Sequence, residues 1–121
     1  MKPLVYVAGP ITGNPWGCVR QATDAFAWLR DAGCVPFLPQ LSVLHEMVAP
    51  MSHDEWLAYN LDMLAHCDAI VRLPGGSPGA DREVAHATAL GLPVFLMTED
   101  SRDIPVAVGA LRSWAAQRVA A

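Results

Sequence analysis

The stretch Ser77-x-Gly79-x-x-x-Glu83 joins an anion-binding element to an isolated carboxylate. Ser77-Pro78 reads as a helix cap followed by proline at the first helical position. The first backbone N–H groups of such a helix point outward, and Gly79 lets a ligand approach them closely, which suits a phosphate. Glu83 follows Ser77 by six residues, roughly 9 Å along a helix axis. It borders the small-residue stripe Ala80, Val84, Ala87 and Gly91, rather than the solvated side with Arg82, His86 and Ala89. A carboxylate among alanines beside a glycine-rich turn suits acid, base or nucleophile chemistry. The structural alternative is a glutamate paired with an arginine or held by the helix dipole.

Asn60 is the second anomaly. It follows Leu57 by three and precedes Leu64 by four, on the inner side of its helix, whereas Asp62 shares the outer side with Glu55 and His66. A buried amide must find partners, either structural or in a ligand. Tyr6 lies in the first apolar run and can face either side of a sheet. The four histidines form no H-E-x-x-H pattern, since Met47-Val48-Ala49 follow His45-Glu46. They read as surface or loop residues, with His45 a candidate to line the site. Cys18, Cys34 and Cys67 contain no CxxC pair and read as small packing residues, so neither a disulfide framework nor a zinc knuckle is expected. Trp114, on the terminal helix, is the tryptophan best placed for a subunit contact.

The elements that must carry these residues alternate between strand-length apolar runs and helical patterns. Strands are expected at Leu4–Ala8, Cys34–Leu38, Ala69–Leu73 and Pro93–Met97. Helices are expected from the Asn14-Pro15 cap to Gly33, from the capping box Ser52-x-x-Glu55, from Ser77-Pro78 to Gly91, and from about Pro105 to Val119. Pro39–Met51 reads as a long loop and Thr98–Asp103 as a polar one. Right-handed crossovers turn this order into an α/β Rossmann-like, flavodoxin-like fold. A four- or five-stranded parallel sheet would carry helices on both faces, in one domain over residues 1–121. Ligands of such sheets bind beyond the carboxyl ends of the strands, where glycine-containing turns leave the first strand (Gly9–Gly13) and the third (Gly75–Gly79). Neither turn is a Walker A loop or G-x-G-x-x-G, and on glycine alone both are tight turns.

Composition narrows the partners. The chain is 53% hydrophobic and 17% charged, a balance that builds a core and excludes disorder. Its formal net charge of −4, with eight Lys and Arg, gives no footprint for a nucleic-acid duplex or an anionic membrane. The run Leu4–Ala8 is too short for a signal peptide or a membrane span. A soluble, cytoplasmic protein of a reducing compartment is the expectation.

Three blocks together carry a family resemblance. Tyr6-Val7-Ala8-Gly9-Pro10-Ile11-Thr12-Gly13, Trp56-Leu57-x-x-Asn60-Leu61-x-x-Leu64-x-x-Cys67-Asp68-Ala69, and Leu73-Pro74-Gly75-x-Ser77-x-Gly79-Ala80-x-x-Glu83-Val84-Ala85-x-Ala87 resemble the nucleoside 2-deoxyribosyltransferase superfamily. The likeness is nearest to its small bacterial and phage members, close to the 2′-deoxynucleoside 5′-phosphate N-hydrolases. The resemblance implies N-glycosidic cleavage or transfer on a nucleoside or its 5′-monophosphate. It also implies a homodimer or higher homo-oligomer with sites near subunit contacts, and no metal or organic cofactor. It places the nucleophile on Glu83, an orienting hydroxyl on Tyr6, and substrate contacts on Gly9, Pro10, Gly13, Ser77, Gly79 and Ala80. In one respect the chain departs from the pattern. The acid that assists departure of the base is an amide here, Asn60, which donates a hydrogen bond but transfers no proton near neutral pH. Two rivals follow: a nucleotide-binding module with little turnover, and a structural oligomer without a ligand.

Overall fold

In the computed structural model, which describes residues 1–97, 99 and 104–120, four short strands pair in parallel in the order β2-β1-β3-β4. They are β1 (Leu4–Ala8), β2 (Val35–Phe37), β3 (Ala69–Arg72) and β4 (Val94–Leu96). The expected α/β parallel sheet is present, with flavodoxin-like order. Register runs Leu4 to Val35, Val5 to Ala69 and Ile70 to Val94. The chain leaves β1 to one side for β2 and returns to the other side for β3. The crevice beyond the carboxyl ends of β1 and β3 is therefore the topological switch point.

The two-residue period of β1 divides the core. Val5 and Val7 pack with Ala69, Val71 and Leu73 beneath α1 (Pro15–Asp31) and α5 (Ile104–Ala120). Tyr6 and Ala8 face the other way, with Ile70, against α3 (His53–Leu64) and α4 (Pro78–Ala89). The orientation of Tyr6, open in the sequence, is thus toward α4. Trp114 is half-buried on α5, 5.6 Å from Phe95 with Arg118 over its ring, so it packs within the fold. Asp68 accepts the Leu4 N–H at 2.9 Å and pairs with Arg118 at 2.6 Å, tying β1 and β3 to α5.

The stretch Pro39–Met51 departs from expectation. A 3-10 turn (Pro39–Leu41) leads into a short helix, α2 (Ser42–Val48), in place of a loop. It buries none of its residues. Its apolar positions lack the regular inner stripe by which a core-packed helix shows itself in a sequence. Of the stretch Thr98–Asp103, only Glu99 is among the described residues.

Candidate active site

The turn after β3 is set by Arg72, the last residue of that strand. Its guanidinium donates to the Leu73 carbonyl, to the Gly75 carbonyl at 2.8 Å and to Asp81 at 3.2 Å. The turn is thereby fastened to the first residues of α4. Gly75 adopts φ +111°, and a Cβ there would lie 2.8 Å from Pro10 Cγ. The turns after β1 and β3 therefore touch where only glycine fits. Ser77 caps α4, its hydroxyl accepting the Ala80 N–H at 3.1 Å, with proline at the first helical position.

Ala80, Glu83 and Ala87 are the buried residues of α4. The two alanines bring this helix close to the sheet, so that Glu83 reaches the strand beneath it. The Tyr6 hydroxyl donates to Glu83 Oε2. Tyr6 is fully buried and Glu83 is 6% exposed. Burial pushes the Glu83 carboxyl up to about 8, because a charge held away from water is costly. It is therefore chiefly protonated at neutral pH. The arginine-paired alternative for Glu83 does not apply: its partner is a phenol, while Arg72 pairs with Asp81.

Glu83 sits in the wall of a cleft of about 700 Å³. Gly9 closes one side, Ser77, Gly79 and Ala80 another, and Asn60, 7% exposed, stands on the α3 side. Six of the nine site residues expected from sequence thus line one hollow, and Tyr6 supports it from behind. Pro10 and Gly13 do not line it. Pro10 packs on Gly75, and Gly13 is an exposed turn residue at φ +90°.

Sequence reasoning missed the outer wall. Val43, Glu46 and Met47 of α2 face the cleft, with Trp16, His53 and Trp56. Glu46 fastens α2 to α3, accepting the Trp56 indole N–H and the Met51 N–H, the latter at 3.0 Å. These bonds hold its carboxyl below the usual range. The cleft histidine is His53. His45 lies in the adjoining depression against the other side of Trp56, ring centroids 6.2 Å apart. Gln40, also missed, is fully buried beside Gly9. Its Nε2 donates to the Val7 carbonyl at 3.1 Å, while its Oε1 is the buried side-chain atom without a partner among the described residues. Such a polar residue just past a strand end is a signal of its own, because a buried amide needs a reason. Among the described residues no three His, Cys, Asp or Glu side chains gather as a metal site, and no helix is long and apolar enough to cross a membrane.

Residues 3–96 match a family described as a domain of unknown function, DUF4406. The chain belongs to that family. No curated protein matches it by sequence. Solved structures do match this DUF4406 chain. A 2-desoxiribosyltransferase from Leishmania mexicana aligns over 81% of it at 23% identity with a TM-score of 0.63. The alignment covers 65% of that enzyme, so the chain spans just under two thirds of its length. A 2-deoxyribosyltransferase from Bacillus psychrosaccharolyticus aligns over 81% of the chain and 74% of its own, at 22% identity and TM-score 0.59. A CMP N-glycosidase from Clostridium botulinum aligns over 89% and 82%, at 22% identity and TM-score 0.56. The DUF4406 chain thus has the fold of the nucleoside 2-deoxyribosyltransferase-like superfamily.

Proposed function

We propose that this protein cleaves or transfers the N-glycosidic bond of a nucleoside or a (deoxy)nucleoside 5′-monophosphate, with Glu83 as nucleophile. The observation that carries the reading is a buried carboxyl, hydrogen-bonded to Tyr6, in the wall of a cleft that also holds a capped helix start. As the base departs, the sugar C1′ gains positive charge. The form of Glu83 that bonds C1′ is the carboxylate, its proton released to water beforehand, as the ionised nucleophile does in retaining glycosidases. The Tyr6 hydroxyl fixes the attacking geometry. Ser77 and the N–H groups near Gly79 and Ala80 hold the 5′-phosphate, and that remote contact positions the sugar. The activities of the structural neighbours, 2-deoxyribosyl transfer and CMP N-glycoside cleavage, support the bond class. Water as acceptor makes a hydrolase, and a second base makes a transferase.

The test is release of free base from a panel of nucleosides and their monophosphates. Release from at least one member, lost in Glu83→Ala, is the expected result. Release that persists in Glu83→Ala removes Glu83 from the chemistry. A second reading, a nucleotide-binding module with little turnover, is favoured by the amide at position 60 in the cleft. Asn60→Asp separates the two readings. Binding without turnover in both wild type and variant supports the module.

The protein also works, in this reading, as a homo-oligomer. Trp16, Leu44, Met47, Val48 and Tyr59 are 51–87% exposed on elements around the cleft, an apolar rim that a second copy would cover. Sedimentation at micromolar concentration tests it, and a monomer there refutes it.

A further inference from the structure

Asn60 leaves an open question in any glycosidic reading: which group supplies the proton that a departing base needs. We propose that His53, at the outer end of the same helix face, is the general acid that protonates the leaving base. This rests on the glycosidic reading above.

The geometry points to His53 for three reasons. It lines the same cleft as Glu83 and Asn60. It precedes Asn60 by seven residues, two helical turns, which places both on one face of α3 about 10 Å apart along the axis. In this proposal the sugar sits at Glu83 and the base lies in the cleft along that face, between Asn60 and His53. Lastly, the other ionisable side chains of the cleft are unsuited. Glu46, from α2, has its carboxylate occupied by the Trp56 and Met51 N–H groups and held in the ionised form. Arg82, from α4, does not release a proton. Glu83 is the nucleophile. Asp54 and Glu55 on the histidine's own helix are exposed, and Glu55 is engaged in the capping box. An imidazole is the side chain whose ordinary titration spans neutrality.

Bonds and protons balance in the step. The C1′–N bond breaks with its electron pair moving to the base, which takes the imidazolium proton at a ring nitrogen or exocyclic oxygen. An oxygen of the Glu83 carboxylate, ionised before the step with its proton released to water, bonds C1′. Water then bonds C1′, the Glu83 ester bond breaks with its pair returning to the carboxylate, and the water proton restores the imidazolium. Base and sugar leave, and one water is consumed.

A leaving-group comparison tests this. A purine nucleotide methylated at N7 already carries its positive charge, so its base departs without taking a proton. In His53→Gln, turnover of the unmethylated nucleotide should fall by about 10²-fold, within the usual range for losing a general acid. Turnover of the methylated one should stay within about threefold of wild type. Equal losses on both substrates would mark a structural role and overturn the assignment, as would an unchanged rate on both. Glu83→Ala on the methylated substrate checks the underlying reading separately. Persistent turnover there removes the nucleophile and leaves the His53 comparison intact.

Discussion

Glu83→Gln should stabilise the protein against unfolding, and only at neutral to alkaline pH. The carboxyl titrates at about 8 in the fold against an ordinary 4.5. Between those values the native state keeps a proton that the unfolded chain has lost, so stability falls as pH climbs through the window. Below it both states are protonated, and above it both are ionised and the loss is complete. Each tenfold gain in proton affinity on folding is worth about 1.4 kcal/mol, so ionised Glu83 costs roughly 4 kcal/mol more at pH 9 than at pH 5. Glutamine mimics the protonated carboxyl in shape and still accepts the Tyr6 hydroxyl. At pH 5 the two proteins should therefore unfold within about 1 kcal/mol of each other. At pH 9 the variant should lead by about 4 kcal/mol. For a 121-residue chain that is on the order of 15 °C in Tm. Every other titrating group is common to both proteins and cancels in the difference. Urea unfolding of the pair at pH 5, 7 and 9 reads it directly. A gap between the two that stays constant with pH, or that narrows as pH rises, would refute the claim that burial governs this carboxyl.

Three further outcomes follow from the same geometry. Gly9→Ala places a methyl 3.2 Å from both Gln40 Nε2 and Leu73 Cβ. It should cost about 1–3 kcal/mol in denaturant unfolding and weaken ligand binding in the same variant, since Gln40 must shift. Ser77→Ala removes the α4 cap, with an expected cost of about 1 kcal/mol. Its kinetic signature should be a raised KM for 5′-monophosphates with little change for unphosphorylated nucleosides; equal changes for both would place the phosphate elsewhere. Trp56→Phe removes the indole donor to Glu46. Global stability should move by less than about 1 kcal/mol, because the bond is on the surface, while amide exchange across residues 42–48 accelerates.

How much of this was legible in the sequence depended on how strongly each element is tied to a period or a cap. The Ser77 and Ser52 caps, the proline at the start of α1 and α4, and the four apolar runs each carry local signals, and the structure places them within about three residues of expectation. Glu83 was recognisable because a carboxylate among alanines breaks the helical pattern. Its partner Tyr6 was legible only through the family resemblance, since the side of the sheet that Tyr6 faces follows from a long-range pairing of β1 with β3. The outer wall stayed hidden for another reason. α2 has no buried stripe, so its sequence resembles a loop with scattered apolar residues. His53 escaped notice because its place in the cleft depends on where α3 points its first turn, which the tertiary packing fixes. Pro10 and Gly13 were placed at the site by likeness; in the structure Pro10 abuts Gly75, and Gly13 is an exposed turn residue.

The abutment of Pro10 on Gly75 has a consequence for how such a protein can change. Neither turn can lengthen or take on bulk without the other yielding, so that half of the opening resists remodelling. On the opposite half, α2 hangs from a few superficial bonds. Substitutions there can alter which molecules enter while the chemical apparatus stays untouched. Side chains along α2 should therefore be exchanged more freely than those of the two abutting turns.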